Sequence, residues 1–151
     1  MKVSRFILAI ALMFFSAQVF AEWKGNGSRE FWVDASKENW QQTNVYVFQG
    51  DGVWVVQTGG YFTRNDKTQV TSASGDSTEK AGKGYPMPNA PKGALIGKIY
   101  PIKSNINPSE PFYIGKKSRI PTRQSGYLHL SINEKSADLE GNFKVHIGMD
   151  R

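Results

Sequence analysis

Two segments near the C-terminal end of the chain alternate apolar and polar residues with a period of two. In Tyr127-Leu128-His129-Leu130-Ser131-Ile132-Asn133, Leu128, Leu130 and Ile132 share one side. In Phe143-Lys144-Val145-His146-Ile147 the same holds for Phe143, Val145 and Ile147. Such alternation gives a strand one apolar face for a core and one face for water. No stretch shows a helical apolar period with caps. Further strands are expected at 30–34, 44–48, 53–56, 94–100 and 112–114. In 44–48, Val45 and Tyr46 leave the inward face undecided. The β-branched run Val53-Trp54-Val55-Val56 predicts a well-buried strand with Trp54 in the core. Gln49-Gly50-Asp51-Gly52 reads as a hairpin turn. Pro101, Pro108, Pro111 and Pro121 fall between strands, where a missing N–H costs no ladder bond. Short strands separated by Gly, Pro and Asn turns predict an all-β chain folded as a β-sandwich of the jelly-roll kind.

The first 21 residues read differently. Lys2 and Arg5 precede ten apolar residues, Phe6 to Phe15, and the stretch closes on Val19-Phe20-Ala21. A basic start, a short apolar run and small residues before a cut predict a secretory signal peptide. The run is too short for a membrane helix, which needs about 20 residues, and no later stretch comes close, so no membrane span is expected. The domain is then 22–151, exported to the periplasm, the outer membrane surface or the medium. Two of the 19 basic residues and none of the 13 acidic ones lie in the leader, so the remainder carries 17 basic residues against 13 acidic, or +4. Cysteine is absent, which excludes disulfides, thiolate-bound zinc, thiol catalysis and a lipid anchor on cysteine.

Residues 64–92 stand apart, with Val70, Tyr85 and Met87 the only large apolar side chains among Thr, Ser, Lys, Gly and Pro. So long a loop is usually functional or disordered; an edge strand near 68–71 would break it up. The histidines, His129 and His146, take polar positions on alternating strands. If those strands pair, the two rings share a solvated face, as a metal or acid–base pair or simply as two exposed residues. No nucleophile–base pair is apparent, so the chain reads as non-enzymatic. Glu134, Asp138 and Glu140 cluster between the last two strands, where Glu134 and Asp138 could offer oxygens to a hard cation such as calcium or stand in a solvated turn. Lys116-Lys117-Ser118-Arg119 with Arg123 is a weak basic cluster, expected in a turn, and nucleic acid is not an expected partner. Trp23, Trp32, Trp40 and Trp54 all lie early, and Trp40, in a polar stretch, is the candidate for an exposed ring.

A family resemblance joins these pieces. Trp23-Lys24-Gly25, Gly50-Asp51 before a strand ending at Gly59-Gly60-Tyr61, and Gly93-Ala94-Leu95-Ile96-Gly97-Lys98-Ile99 are similar to the calcium-dependent galactose-binding bacterial lectins of the PA-IL type. Phe112-Tyr113-Ile114-Gly115 and the closing Gly141-Asn142-Phe143-Lys144-Val145-His146-Ile147-Gly148 resemble that family in the same order. The resemblance covers most of the exported chain and implies a galactose-binding-like β-sandwich. It also implies a calcium site in the turn after Asn133, built on an Asp, a Thr, two Asn and a backbone carbonyl from near Thr63 or Arg64. Here Glu134 stands for the Asp and Asp138 for one Asn, while Leu139, which cannot ligate, stands for the other. By this reading the ligand-binding candidates are Tyr61, Arg64, Tyr85, Glu134 and Asp138, with Glu134 and Asp138 as the metal candidates. Two functions follow: a carbohydrate-binding module with glycan partners, or a subunit of an envelope assembly such as a secretion system, binding proteins through the same scaffold. Oligomerisation is open under either.

Overall fold

Two antiparallel sheets face each other in the computed structural model, which describes residues 28–38, 40–135 and 138–150. The leader and Trp23-Lys24-Gly25 lie outside the described residues. In chain order the strands are β1 (Arg29–Asp34), β2 (Gln41–Val47), β3 (Gly52–Thr63), β4 (Gln69–Val70), β5 (Leu95–Tyr100), β6 (Phe112–Tyr113), β7 (Lys117–Arg119), β8 (Gly126–Ile132) and β9 (Glu140–Asp150). One sheet runs β1-β9-β3, with β4 and β7 on the far edge of β3; the other runs β2-β8-β5-β6. The core between them holds Val33, Val45, Val47, Val53, Val55, Leu95, Ile99, Leu128, Leu130, Val145 and Ile147. It closes at one end on the edge-to-face pair Phe62–Phe143, with ring centroids 5.4 Å apart. The expected β-sandwich is the observed fold.

The connections differ from the expected ones. β2 and β3 sit in opposite sheets, and so do β8 and β9. The turn at 48–51 forms, with Asp51 N donating to Phe48 O at 3.0 Å and Gly50 at φ 89, but it carries the chain across the sandwich and pairs no hairpin. The same crossing separates the histidines. His129, on β8, lies against Tyr100 with ring centroids 4.2 Å apart; His146, on β9, approaches Glu30 at 3.3 Å. They share no face, so the acid–base or metal pair is not assembled.

Local backbone irregularities explain the remaining differences. Asn44 adopts φ 60 within a register shift between Gln42 and Tyr46. The inward positions then run Gln41, Thr43, Val45 and Val47, all buried. The two polar ones are satisfied: Thr43 Oγ1 donates to Leu128 O at 2.8 Å, and the Gln41 amide bonds both the N–H and the carbonyl of Asp34 at 2.9 Å. β3 is longer than 53–56 because it continues through Gly59-Gly60 by way of a register shift between Gln57 and Gly59. One inserted residue reverses the facing of everything after it. Val53 and Val55 therefore point inward before the shift and Phe62 after it. Tyr61 is left 52% exposed. Trp54 is on the outer face, not in the core: it is half-buried, its Nε1 donates to Asp150 Oδ2 at 3.1 Å and the Lys117 ammonium lies 5.7 Å from its ring. Residues 117–119, expected as a turn, pair with Trp54, Val55 and Val56 as β7. Between β7 and β4 the Gln57 side chain covers the break, donating to Gly59 O and Gly60 O and accepting from Ala73 N.

The long polar segment is tied down. β4 pairs Val70 with Phe62, as the expected edge strand requires, and Val70, Ala73 and Ala90 are buried. The stretch 86–91 is gathered by one side chain. The fully buried Asn133 accepts from Met87 N at 2.9 Å and donates to Met87 O, Pro91 O and Ala90 O at 2.9, 3.0 and 3.4 Å. Its backbone bonds Gly93 N and Ala94 O as well.

Two outcomes are expected. Asn133→Ala strips four hydrogen bonds from buried backbone, and at about 1 kcal/mol for each of the better ones should cost about 3 kcal/mol in denaturant unfolding, with faster amide exchange confined to 86–91. His129 is held neutral: burial lowers its pKa below the ordinary value of about 6.5, opposed in part by a hydrogen bond with the Trp40 backbone. The unfolded chain thus takes up this proton at higher pH than the folded one. Stability is complete above about pH 6.5 and falls as pH drops through the depressed value. The Tm difference between pH 7.5 and pH 5.5 should be smaller in His129→Gln than in the parent.

Candidate functional site

Inward-facing positions continue past the ends of β3 and β8, and the first such position on each is charged. Arg64 lies two residues beyond Phe62, and Glu134 two beyond Ile132. The side chains meet over the closed end of the core, with Arg64 Nε 2.6 Å from Glu134 Oε1 and only 15% and 6% of the two side chains exposed. Arg64 also donates from its Nη2 to Lys92 O at 3.3 Å, and its guanidinium stands 5.9 Å from the centre of the Phe62 ring. Gly93, at φ 79, leaves room for this: a Cβ there would lie 2.6 Å from Arg64 Nη2 and 3.4 Å from Glu134 Oε1. An ion pair this buried is costly to break from one side, since the remaining charge has no partner and little water.

Tyr85 is brought to the ion pair by the loop that Asn133 holds. Lys92 hydrogen-bonds to the Tyr85 side chain, and this, ahead of all other influences, raises the pKa of its ammonium. Its Nζ is 5.8 Å from the ring centre; Lys135 comes closer, at 4.9 Å. Arg64, Asn65, Asp66, Tyr85, Lys92, Glu134, Lys135 and Leu139 line a cleft of about 310 Å³. On the other side of Tyr85 and Lys135 lies a second concavity of about 400 Å³, bounded by Lys37, Glu38, Trp40 and Pro86. Trp40 is half-buried there, and the Lys98 ammonium lies 5.6 Å from its ring. Asp66, at the rim, is kept ionised by hydrogen bonds from Thr68 that lower its pKa.

Arg64, Tyr85 and Glu134 therefore come together. Tyr61 and Asp138 do not join them. Tyr61 faces away across the strand into a separate concavity with Thr63, Glu140 and Asn142, because it stands an odd number of residues from Arg64 on the same strand line. Asp138 is exposed and lines neither cleft, whereas Leu139 is buried beside the site. Ser136 and Ala137 of the same turn lie outside the described residues. Lys92 and Lys135 were not among the candidates. The signal for Lys92 was its place before the Gly93-Ala94-Leu95 motif, and for Lys135 its place next to Glu134.

The calcium that the lectin resemblance implies does not fit this arrangement. A calcium ion needs six to eight oxygens. Among the described residues no group of three His, Cys, Asp or Glu gathers to hold a metal. Glu134, the one carboxylate inside, already faces a guanidinium that would repel a dication. A positive charge does sit beside Glu134, and it is supplied by Arg64.

Arg64→Leu leaves Glu134 buried and unpaired and should cost about 3 kcal/mol in urea unfolding. The double variant with Glu134→Leu should lose less than the single one, a coupling that a double-mutant cycle reads directly.

No family model matches the sequence, and no curated protein matches it. The solved structure described as the EclA N-terminal domain, a PllA-like lectin, matches in three dimensions with a TM-score of 0.56 at 16% sequence identity, covering 80% of this chain and 95% of that one. The chain thus has the β-sandwich fold of a PllA-like lectin.

Proposed function

We propose that this chain is a non-enzymatic carbohydrate-binding module, exported by the leader read in residues 1–21. The observation that carries the reading is the Tyr85 ring, flanked by the donors of Lys92 and Lys135 at a loop-end cleft, with Trp40 on the adjoining concavity. Sugar recognition needs an aromatic surface for the apolar face of the ring and a few fixed polar groups for its hydroxyls. The lectin-like fold supports the same conclusion, though fold alone does not carry function. The described histidines offer no catalytic pair, one resting on Tyr100 and the other on Glu30. Among the described residues no helix is long and apolar enough to cross a membrane.

One observation favours the second reading, a subunit of an envelope assembly. Tyr46, Phe48 and Tyr127 form an edge-to-face group on the outer side of the β2-β8 sheet, with centroids 5.0 and 5.2 Å apart, and Phe48 is 54% exposed. Exposed aromatic residues of this kind are enriched at protein interfaces.

A glycan array probed with and without EDTA separates the two. The carbohydrate reading expects binding in both conditions, lost in Tyr85→Ala; silence on every glycan in both would sink it. The assembly reading expects a defined partner to co-purify from membranes and to be lost in Phe48→Ser.

A further inference from the structure

The charges around Tyr85 do not balance. Among the described residues, Glu134 is matched by Arg64 at 2.6 Å. Neither Lys92 nor Lys135 has a carboxylate partner among those residues, and both converge on one ring. Within the cleft three cations, Arg64, Lys92 and Lys135, stand against two anions, Glu134 and Asp66. Asp66 has its carboxylate turned to Thr68, whose N–H reaches its Oδ1 at 2.8 Å. Glu134, Asp66 and Asp76 act on Lys92 through space but none forms an ion pair with it, and two ammonium groups gathered on one ring lower the cost of bringing an anion there.

We propose that this cleft selects an acidic saccharide, one bearing a carboxylate such as a uronic acid, and does so without calcium. The inference rests on the carbohydrate-binding reading and names its ligand class. Lys92 and Lys135 hold the sugar carboxylate through charge-assisted hydrogen bonds, and Tyr85 between them presents its ring to the apolar face of the same sugar. Arg64 does not contact the sugar in this scheme. It neutralises Glu134, whose charge would otherwise repel the ligand, and so does for the carboxylate what a metal ion would do. Neutral galactosides leave both ammonium groups without an anion and bind more weakly.

Calorimetry with trigalacturonate and with its neutral counterpart galactotriose tests this on the purified protein, at low and high salt and with EDTA throughout. The inference expects the acidic trisaccharide to bind about tenfold tighter, a difference of about 1.4 kcal/mol, with an affinity that falls as salt rises. Lys92→Gln and Lys135→Gln should each weaken trigalacturonate about fivefold, consistent with the loss of one partly exposed charge pair, and narrow its advantage over galactotriose. Unchanged Tm in both variants shows that the fold is intact. Equal or tighter binding of galactotriose overturns the inference and leaves the carbohydrate reading standing. So does binding of trigalacturonate that is indifferent to both lysine substitutions, since the acid is then held elsewhere. If neither trisaccharide binds but the glycan array yields a neutral ligand, the acidic assignment falls alone; if the array is silent too, the carbohydrate reading falls with it.

Discussion

One buried carboxamide organises the loop end of this sandwich. Asn133 follows the last core residue of β8, and its side chain satisfies the backbone of Met87, Ala90 and Pro91, which would otherwise be polar groups without water. A buried amide has two donors and two acceptor sites and no tolerance for a poor fit. By meeting that demand with one stretch of backbone, Asn133 turns a polar loop into a fixed wall. Everything that gives the cleft its character follows from this: the position of Tyr85, the approach of Lys92 and the carbonyl that Arg64 bonds.

The fold was largely readable from the sequence because period-two alternation reports burial directly. β8 and β9 were visible in Leu128-Leu130-Ile132 and Phe143-Val145-Ile147. What alternation does not report is which sheet a strand joins. β8 and β9 looked like a closing hairpin, and the separation of His129 from His146 depends on their lying in opposite sheets. Nor does it survive a register shift: the bulge near Thr58 hid the second half of β3, while Trp54, ahead of the bulge, faces outward because it alternates with the inward Val53 and Val55. At the site, Arg64 and Glu134 were legible through the family resemblance, and Tyr85 as the aromatic ring of the long polar loop. Lys92 and Lys135 were not, because a lysine in a polar loop carries no pattern until something fixes the loop.

The resemblance to calcium lectins and the absence of their donor set have a common physical root. A carboxylate at the end of a sandwich core must be compensated, and either a bound ion or a basic side chain can do it. With Arg64 as the compensating charge, the cation is part of the chain and is present at any calcium concentration. Its guanidinium is planar, gives Nε to Glu134 and an Nη2 N–H to the Lys92 carbonyl, and binds only through N–H donors, so it does not coordinate sugar oxygens as a metal would. On the proposed carbohydrate reading the recognition surface moves outward accordingly, to the Tyr85 ring and the two ammonium groups beside it.

The bulge in β3 sets the phase of the strand for the rest of its length. With Thr58 drawn into the regular ladder instead of bulged, the alternation would run unbroken from Val55, bringing Tyr61 into the core and turning Phe62 outward. Arg64, in step with Phe62, would then project into solvent, and Glu134 would be buried alone. The loss of one bulge, six positions away and on the far side of two glycines, would dismantle the site without touching any residue that lines it. The spacing of this strand is thus as much a part of the cleft as the side chains at its tip.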